Sequence, residues 1–407
     1  MPASVSGYIE SMSKKLLGIL VLGLILSSTA IANQLSKSPF IPDDVYNEFN
    51  KLPKDHKIKF CGFEYFEPDY YIINKDLAPR IFGYNSRMDN WKTVEGDYSR
   101  DVFRHYTYSV TFAMVTESDS VKEFLFDKLY IWAKNKALTK TKQCYRNTKK
   151  NSILKDCEGE WSDSGGQDIA PIKDATVTLE IIMGLNYIYN LNFANYKIED
   201  PRHKTINEWF KPFYKQIKPA NKFYMGNSAG WYFPNIALRH SDNKNYSKLV
   251  KKLVKGADKW ILDDGSIKDR TTRGDRALWY HHTGLGDAFI ILEIANAANI
   301  KLPKNYEKKL LKAVELFHDS FLDNSKIEPW AKKRHNSQAS NGVQKFSKEL
   351  DRISFYGPWF HIMQYRYPEH RTTKFLKSHM THRANSLKGD EGIGIGMGCI
   401  YNALANQ

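Results

Sequence analysis

The segment "TTRGDRALWYHHTG", residues 271–284, places two arginines, an aspartate, a tyrosine and two histidines in one short run. Arg273, Ala277 and Tyr280 recur at three- to four-residue spacing, so a helix here would carry them on one face. Arg276 would also be a neighbour of Tyr280 on that helix. The segment therefore predicts a guanidinium group one or two helical turns from a phenol.

The sequence on both sides of this segment has the period of amphipathic helices. Ser120 and Glu123 stand at capping-box positions in "SVKEFLFDKLYIWAKNKAL". Thr205 and Glu208 repeat that pattern in "TINEWFKPFYKQI", where Pro212 is expected to kink the helix. Further helices are predicted from residue 174 onward and over residues 245–261, 281–299, 303–321 and 353–366.

These helices predict the fold class. Period-two strands are few and do not alternate with helices, which counts against a doubly wound sheet. Helical hairpins joined by polar loops predict an all-α fold, an α/α toroid in which an incomplete ring of hairpins surrounds a cleft. A stacked solenoid is the alternative, because periodicity alone does not separate the two. The 407 residues allow one or two domains, and we expect a single one over residues 33–407.

The N-terminal sequence has the pattern of a secretory signal peptide. "MSKKLLGILVLGLILSSTAIAN" begins at Met12 with two early lysines, continues into an apolar run and ends in small residues. We predict cleavage before Asn33, with residues 1–32 as the leader and residues 1–11 as an upstream extension. A membrane anchor is disfavoured because the apolar run is shorter than the ~20 residues of a spanning helix. The mature protein is expected to be periplasmic or secreted, away from the membrane.

The charge balance indicates the kind of partner. Sixty Lys and Arg residues against 45 Asp and Glu give a formal charge of +15, which favours nucleic acid, an anionic membrane surface or an acidic polysaccharide. Export separates the protein from nucleic acid, so we expect no nucleic-acid partner. An anionic polysaccharide remains as the expected substrate or ligand.

The four cysteines are Cys61, Cys144, Cys157 and Cys399. In an oxidising compartment they fit two disulfides, for which three pairings exist. Pairing Cys144 with Cys157 would close a polar loop and leave Cys61 with Cys399 to join the two ends of the chain. No cysteine pair has CxxC spacing and no histidine pair stands nearby, so neither a metal site nor a cofactor is predicted.

The run "DDGSIKDRTTRGDRALWYH", residues 263–281, resembles the signature of the alginate lyase family, exported poly-mannuronate lyases with an α/α toroid fold. Its specific part is Arg-Gly-x-Arg-Ala-Leu-x-Tyr-His, from Arg273 to His281. Weaker similarity lies in "TINEWFKPFYKQI", "DAFIILEIANAANIKL" and "YGPWFHIMQYRYPE", so the resemblance covers residues 170–370. It implies a polysaccharide lyase that cleaves alginate, poly-mannuronate or a related polyuronate by β-elimination.

The chemistry of this reaction explains why arginine and tyrosine would occur together in this run. A polyuronate lyase removes the C5 proton beside a carboxylate, whose negative charge opposes carbanion formation unless cations or hydrogen-bond donors contact it. The resemblance makes Tyr280 the catalytic acid/base and Arg273 the carboxylate contact, with Arg276 and His281 as further substrate-binding residues. An arginine offers a planar bidentate fork. A phenol ionises only near pH 10 in water, and adjacent positive charge favours the phenolate.

A second family element, Asn-Asn-His-x-x-Trp, is matched only in part by "MGNSAGWYF". Asn227 takes the second Asn position, as a catalytic residue that neutralises the carboxylate, and Trp231 stacks on a sugar ring. Ser228 replaces the histidine and can donate a hydrogen bond but supplies neither a cation nor a base. Three consequences are open: Tyr280 acts alone as both base and acid, another histidine takes the place of the missing one, or the protein binds polyuronate without cleaving it. The candidate histidines are His281, His282, His240 and His105.

Other assignments stay open. Lys92, in the loop "SRMDNWKTVEGDYSRD", is a candidate substrate contact, since the family carries a binding lysine in such a loop. A non-catalytic polyuronate-binding protein is one alternative function. A glycoside hydrolase on the same toroid is another, and it would need two facing carboxylates from Asp263, Asp264 and Asp287. In the purely structural alternative, Arg276 pairs with an acid such as Asp275 while Tyr280 and His281 pack in a core.

Overall fold

Helices dominate the part of the chain that the computed structural model describes. That part comprises residues 38–77, 95–139, 178, 181–214, 225, 232–240, 243–333, 342–344, 359–379 and 396–407. Within it there is no β-strand, only an isolated antiparallel bridge between Ile261 and Ile267. No helix in these ranges combines the length and the apolar character needed to cross a bilayer.

The α-helices are, in chain order, α1 (Asp43–Lys51), α2 (Lys54–Phe60), α3 (Tyr70–Ile73), α4 (Glu95–Thr116), α5 (Asp119–Lys134), α6 (Arg202–Tyr214), α7 (Phe233–Arg239), α8 (Asn243–Trp260), α9 (Ala277–Ala297), α10 (Tyr306–Leu322), α11 (Glu328–Ala331), α12 (Trp359–Arg366), α13 (Arg371–His379) and α14 (Met397–Ala405). Residues 181–188 are also helical and continue into a π-helical turn, Tyr189–Phe193. Short 3₁₀ turns precede α9 (Gly274–Arg276) and α11 (Asn324–Lys326).

Helices that follow one another in the chain pack as neighbours. Contacts join α4 to α5, α8 to α9, α9 to α10 and α12 to α13, and α5 also packs on α6. The C-terminal helix α14 returns to pack on α1, α2 and α12. A disulfide between Cys61 and Cys399 links α14 to the end of α2, which is one of the pairings that the sequence left open. The two ends of the described chain are therefore tied together.

Helix α9 forms the centre of this arrangement. It contacts α8, α10 and α12, and apolar side chains cover it on every side, from Leu278 to Ala297. A helix that is apolar all round is typical of a protein core. Its first turns are partly exposed at Trp279 and Tyr280, and Thr283, Asp287 and Asn296 further along also reach the surface. The candidate chemistry thus lies where a rigid core helix approaches the surface.

Both predicted capping boxes are wrong, although the helices they introduce exist. Helix α5 begins at Asp119, so Ser120 lies within its first turn, and Glu123 pairs instead with Arg202 at 2.8 Å. Helix α6 begins at Arg202, three residues before Thr205. There the carboxylate of Asp200 accepts the Arg202 backbone N–H at 2.9 Å. The Asp200 side chain therefore caps the start of α6 in place of the predicted capping box.

A tight turn between α8 and α9 starts the segment that carries the arginines. The Leu262 N–H donates to the Ser266 carbonyl at 2.9 Å, and Gly265 has a φ of +84°. A Cβ at Gly265 would lie 2.6 Å from the Lys312 carbonyl oxygen of α10, so glycine is required here both for conformation and for space. The turn rests directly on α10 and directs the following residues towards α9.

Candidate active site

Arg273 is held by Asp269, four residues earlier. Its Nε donates to the Asp269 backbone carbonyl at 2.6 Å, and its Nη2 donates to both carboxylate oxygens at 3.0 and 3.1 Å. The Asp269 side chain is 3% exposed, and its backbone has a φ of +64°. Asp is one of the few residues that tolerate this left-handed conformation. Backbone conformation and ion pair together fix where the guanidinium lies.

This pairing changes the predicted role of Arg273. The edge formed by Nε and Nη2 is occupied by Asp269, so it is not available as a fork for a substrate carboxylate. Nη1 makes no hydrogen bond to any described residue, and the side chain is 17% exposed. Arg273 can therefore contact an anion through Nη1 while Asp269 holds it in place.

Two guanidinium groups lie close to the Tyr280 ring. The Cζ atom of Arg273 is 4.8 Å from its ring centroid and that of Arg270 is 5.5 Å away, both within the range of cation–π contacts. The Trp279 ring meets the Tyr280 ring edge-on, with centroids 4.8 Å apart. The Tyr280 side chain is half-buried. The predicted juxtaposition of phenol and guanidinium exists, but Arg270 was not among the predicted partners.

Arg276, the expected i, i+4 neighbour of Tyr280, has a different environment. It occupies the N-cap position of α9, and its side chain is exposed. The helix begins only at Ala277, so the predicted helical face does not extend back to Arg273. Arg273 reaches Tyr280 from the preceding 3₁₀ turn rather than along the helix.

Gln344 completes the start of α9. Its Oε1 accepts the Leu278 backbone N–H at 2.9 Å, and its Nε2 donates to the Gly274 carbonyl at 2.9 Å. A buried amide therefore satisfies polar groups on both sides of the junction between the 3₁₀ turn and the α-helix. This residue fixes the direction in which the first turn of α9 presents Tyr280.

The prediction that His281 binds substrate is wrong. The residue is completely buried, its Nδ1 accepts the Thr271 hydroxyl at 2.8 Å, and its Nε2 donates to the Ala313 carbonyl at 2.8 Å. Burial lowers the pKa of His281 to about 4, because a desolvated imidazolium is unfavourable. His281, the residue after Tyr280, points into the core and links Thr271 and α9 to α10 beneath the site.

The other residues predicted around Tyr280 divide into two groups. His282 is also fully buried and accepts the Trp359 indole N–H at 3.0 Å, which removes it as a base in a cleft. His105 and His240 are half-buried on other helices. The remaining predicted contacts lie outside the described residues and stay predictions: Lys92, Asn227, Ser228 and Trp231.

Comparison with known proteins supports the architecture. No family model matches the sequence, and no curated protein matches it. A histidine-to-alanine variant of alginate lyase A1-III, solved in complex with a tetrasaccharide, is similar in structure. The TM-score is 0.51 at 12% sequence identity, over 82% of this chain and 87% of that one. The apo form of that variant gives 0.50 at 12% identity, over 82% and 88%.

The fold is an α/α toroid. The predicted fold class is confirmed, and the helical hairpins described above are members of that ring rather than of a solenoid. At 12% identity the similarity establishes the fold and nothing about substrate. The chemistry of the site has to be argued from its own residues.

Of the three carboxylates considered for a hydrolase, Asp264 and Asp287 have structural partners and Asp263 is exposed. Asp264 accepts the Ser266 hydroxyl at 2.7 Å and the Trp330 indole N–H at 3.0 Å, which stabilises the turn after α8. Asp287 pairs with Arg270, and Asp263 is exposed on the same turn. Among the described ranges, no three His, Cys, Asp or Glu side chains gather as a metal-binding group.

Proposed function

We propose that the protein is a polysaccharide lyase that cleaves an acidic polyuronate, alginate or a related polymer, by β-elimination. The observation that carries this proposal is Tyr280, a half-buried phenol close to the guanidinium groups of Arg270 and Arg273 at the start of a core helix. A phenol at this position can exchange a proton with a bound substrate, and the two guanidinium groups bring positive charge to a site for an anionic polymer. The fold shared with alginate lyase A1-III is consistent with that chemistry.

The reaction balances with Tyr280 as both base and acid. The phenolate takes the C5 proton of the uronate unit, and the electrons of that C–H bond form the C4=C5 double bond. The C4–O4 bond breaks at the same time, and the phenol returns the proton to the leaving oxygen. The products are a chain with a new non-reducing unsaturated unit and a chain with a free hydroxyl, with no water consumed.

The site must also lower the cost of charge on the substrate carboxylate. Arg273 presents Nη1 for this purpose while Asp269 holds its other edge. Asn227 is proposed as a second donor to the same carboxylate, with Ser228 beside it supplying a hydroxyl. Trp231 and Lys92 are proposed as contacts with flanking sugars. We further propose that the protein is exported, since a polymer substrate would lie outside the cytoplasm.

A substrate panel tests the proposed reaction class. The protein is incubated separately with poly-mannuronate, poly-guluronate and poly-glucuronate, and the unsaturated product is followed by its ultraviolet absorbance. We expect absorbance to rise with at least one polymer, at the same rate as new chain ends appear. Absence of any new double bond with all three polymers would remove the lyase proposal for these substrates.

The same panel separates the two alternatives. Replacement of the family's histidine by Ser228 favours a protein that binds polyuronate without cleaving it. That protein would retain the polymer in a salt-sensitive manner and release no new ends. A glycoside hydrolase would release reducing ends without ultraviolet absorbance.

A further inference from the structure

Arg270 reaches Tyr280 across the surface of α9. Its guanidinium carbon is 5.5 Å from the Tyr280 ring centroid, and its Nη2 is 3.6 Å from an Asp287 carboxylate oxygen. Both members of that ion pair are only 13% exposed. Tyr280 and Asp287 are two turns apart on α9, so the arginine spans one face of the helix from the phenol to the acid.

Gly284 provides the space for this crossing. It lies on the same face, one turn after Tyr280, and a Cβ there would be 3.1 Å from the Arg270 Cγ and 3.1 Å from the Ile267 Cδ1. Glycine inside a helix is unfavourable relative to alanine. The closeness of the arginine stem accounts for glycine at this position.

Hydrogen bonding within the protein does not by itself explain the position of Arg270. Its Nε is buried and has no hydrogen-bond partner among the described residues. The distance of 3.6 Å to Asp287 exceeds the usual range of a hydrogen bond. A buried charged donor without an acceptor is costly, so the position of Arg270 needs a reason other than this hydrogen bonding.

We propose that Arg270 is a positioning residue for Tyr280. Asp287 holds it, and the absence of a side chain at Gly284 leaves room for it to cross α9. Together with Arg273, it fixes the orientation of the ring so that the phenol oxygen meets the C5 proton in one direction. It also keeps a second positive charge beside the phenol ring. This inference rests on the proposed function of Tyr280 and assigns a role that the i, i+4 pattern of the sequence does not contain.

Turnover by four variants tests the catalytic part. We expect Arg270→Gln to lower kcat about 10- to 30-fold with the KM for polymer changed less than about twofold, the scale of a desolvated cation–π contact. Arg270→Lys should recover part of the loss, since it restores charge but not the planar group. Gly284→Ala should act in the same direction by displacing Arg270. Lys268→Gln, which removes an exposed positive charge from the same segment, is the matched control.

A second readout does not depend on turnover. Protein labelled with ¹³C in the tyrosine rings is compared by NMR, and the Tyr280 signal is identified by its loss in Tyr280→Phe. We expect that signal to move and broaden in Arg270→Gln and in Gly284→Ala, and to remain in place in Lys268→Gln. If Arg270→Gln does not fold, Arg270→Lys and Gly284→Ala carry the comparison.

The outcomes separate the two proposals. A Tyr280 signal that superimposes on the wild-type signal in the folded Arg270 and Gly284 variants overturns the positioning role, whatever the activity. So does an active enzyme whose kcat is unchanged by Arg270→Gln. A wild-type protein without lyase activity overturns the proposed function, and the ring signal then decides the positioning role alone.

Discussion

Replacing His281 with leucine should produce a stability loss that disappears in acid. At pH 7.5 the imidazole is neutral and makes two buried hydrogen bonds, to the Thr271 hydroxyl and the Ala313 carbonyl. Such bonds contribute about 1 kcal/mol each, so His281→Leu should lower the free energy of unfolding by about 2 kcal/mol.

The pH dependence follows from the pKa of the same residue. Burial lowers the pKa of His281 to about 4 in the folded state, against 6.5 in an unfolded chain. As the pH falls below 6.5 the unfolded chain takes up a proton that the folded protein does not, so the stabilisation is full above that pH and lost towards pH 4. Between pH 7.5 and pH 5 this linkage removes about 2 kcal/mol from the wild type and nothing from His281→Leu.

Urea unfolding of both proteins at pH 7.5 and pH 5 measures this difference. His361, whose pKa burial also lowers to about 4, titrates in both proteins and cancels. Thr271→Val is the matched control, because it removes the two hydrogen bonds of the hydroxyl, with His281 and with the Ile267 N–H, but keeps the imidazole. Its stability relative to wild type should change less with pH. A gap between wild type and His281→Leu that is the same at both pH values would refute the account of a buried neutral histidine.

Three further predictions concern the framework of the site. Arg366→Met should lower the free energy of unfolding by about 3–5 kcal/mol, because it leaves the fully buried Glu293 carboxylate without its charge partner at 2.7 Å. Adding Glu293→Gln should recover part of that stability. A loss below about 1 kcal/mol in urea unfolding would contradict this. Reducing the Cys61–Cys399 disulfide should cost on the order of 5 kcal/mol, since the bond closes nearly the whole chain, and an unchanged urea midpoint after reduction would contradict it. Asp269→Asn should lower kcat/KM about tenfold, because Arg273 is then held less firmly. The melting temperature should change little, because asparagine tolerates the same left-handed backbone. Unchanged kinetics would show that the ion pair does not orient the arginine.

The sequence predicted the long helices well and their first residues poorly. Helix α8, Asn243–Trp260, matches the predicted span of residues 245–261 because a long apolar stripe sets its period. Helix α5 begins at Asp119, and Glu123 pairs with Arg202 of α6, a contact with another helix that no local pattern records. The failed capping boxes are therefore failures of tertiary competition and not of helix propensity.

Part of the candidate site was predictable because it lies in one run. Tyr280 and Arg273 were identified from their spacing and the family resemblance, and the two groups do meet. Arg270 was missed because its approach depends on the turn before α9 and on the missing side chain at Gly284, neither of which follows from helical spacing. The role of His281 differs from the prediction because the run does not reveal which residues of α9 face the core, and His281 is one of them.

The central claim is that Tyr280 is the acid/base of a lyase site. Its most direct test is the initial rate of double-bond formation on the best polyuronate by wild type and Tyr280→Phe, with Tyr71→Phe, an exposed tyrosine on α3, as control. Removing the proton-transfer group should lower kcat by at least about 100-fold, with polymer binding and thermal stability retained, while the control keeps the wild-type rate. A Tyr280→Phe protein that forms double bonds at the wild-type rate would contradict the claim.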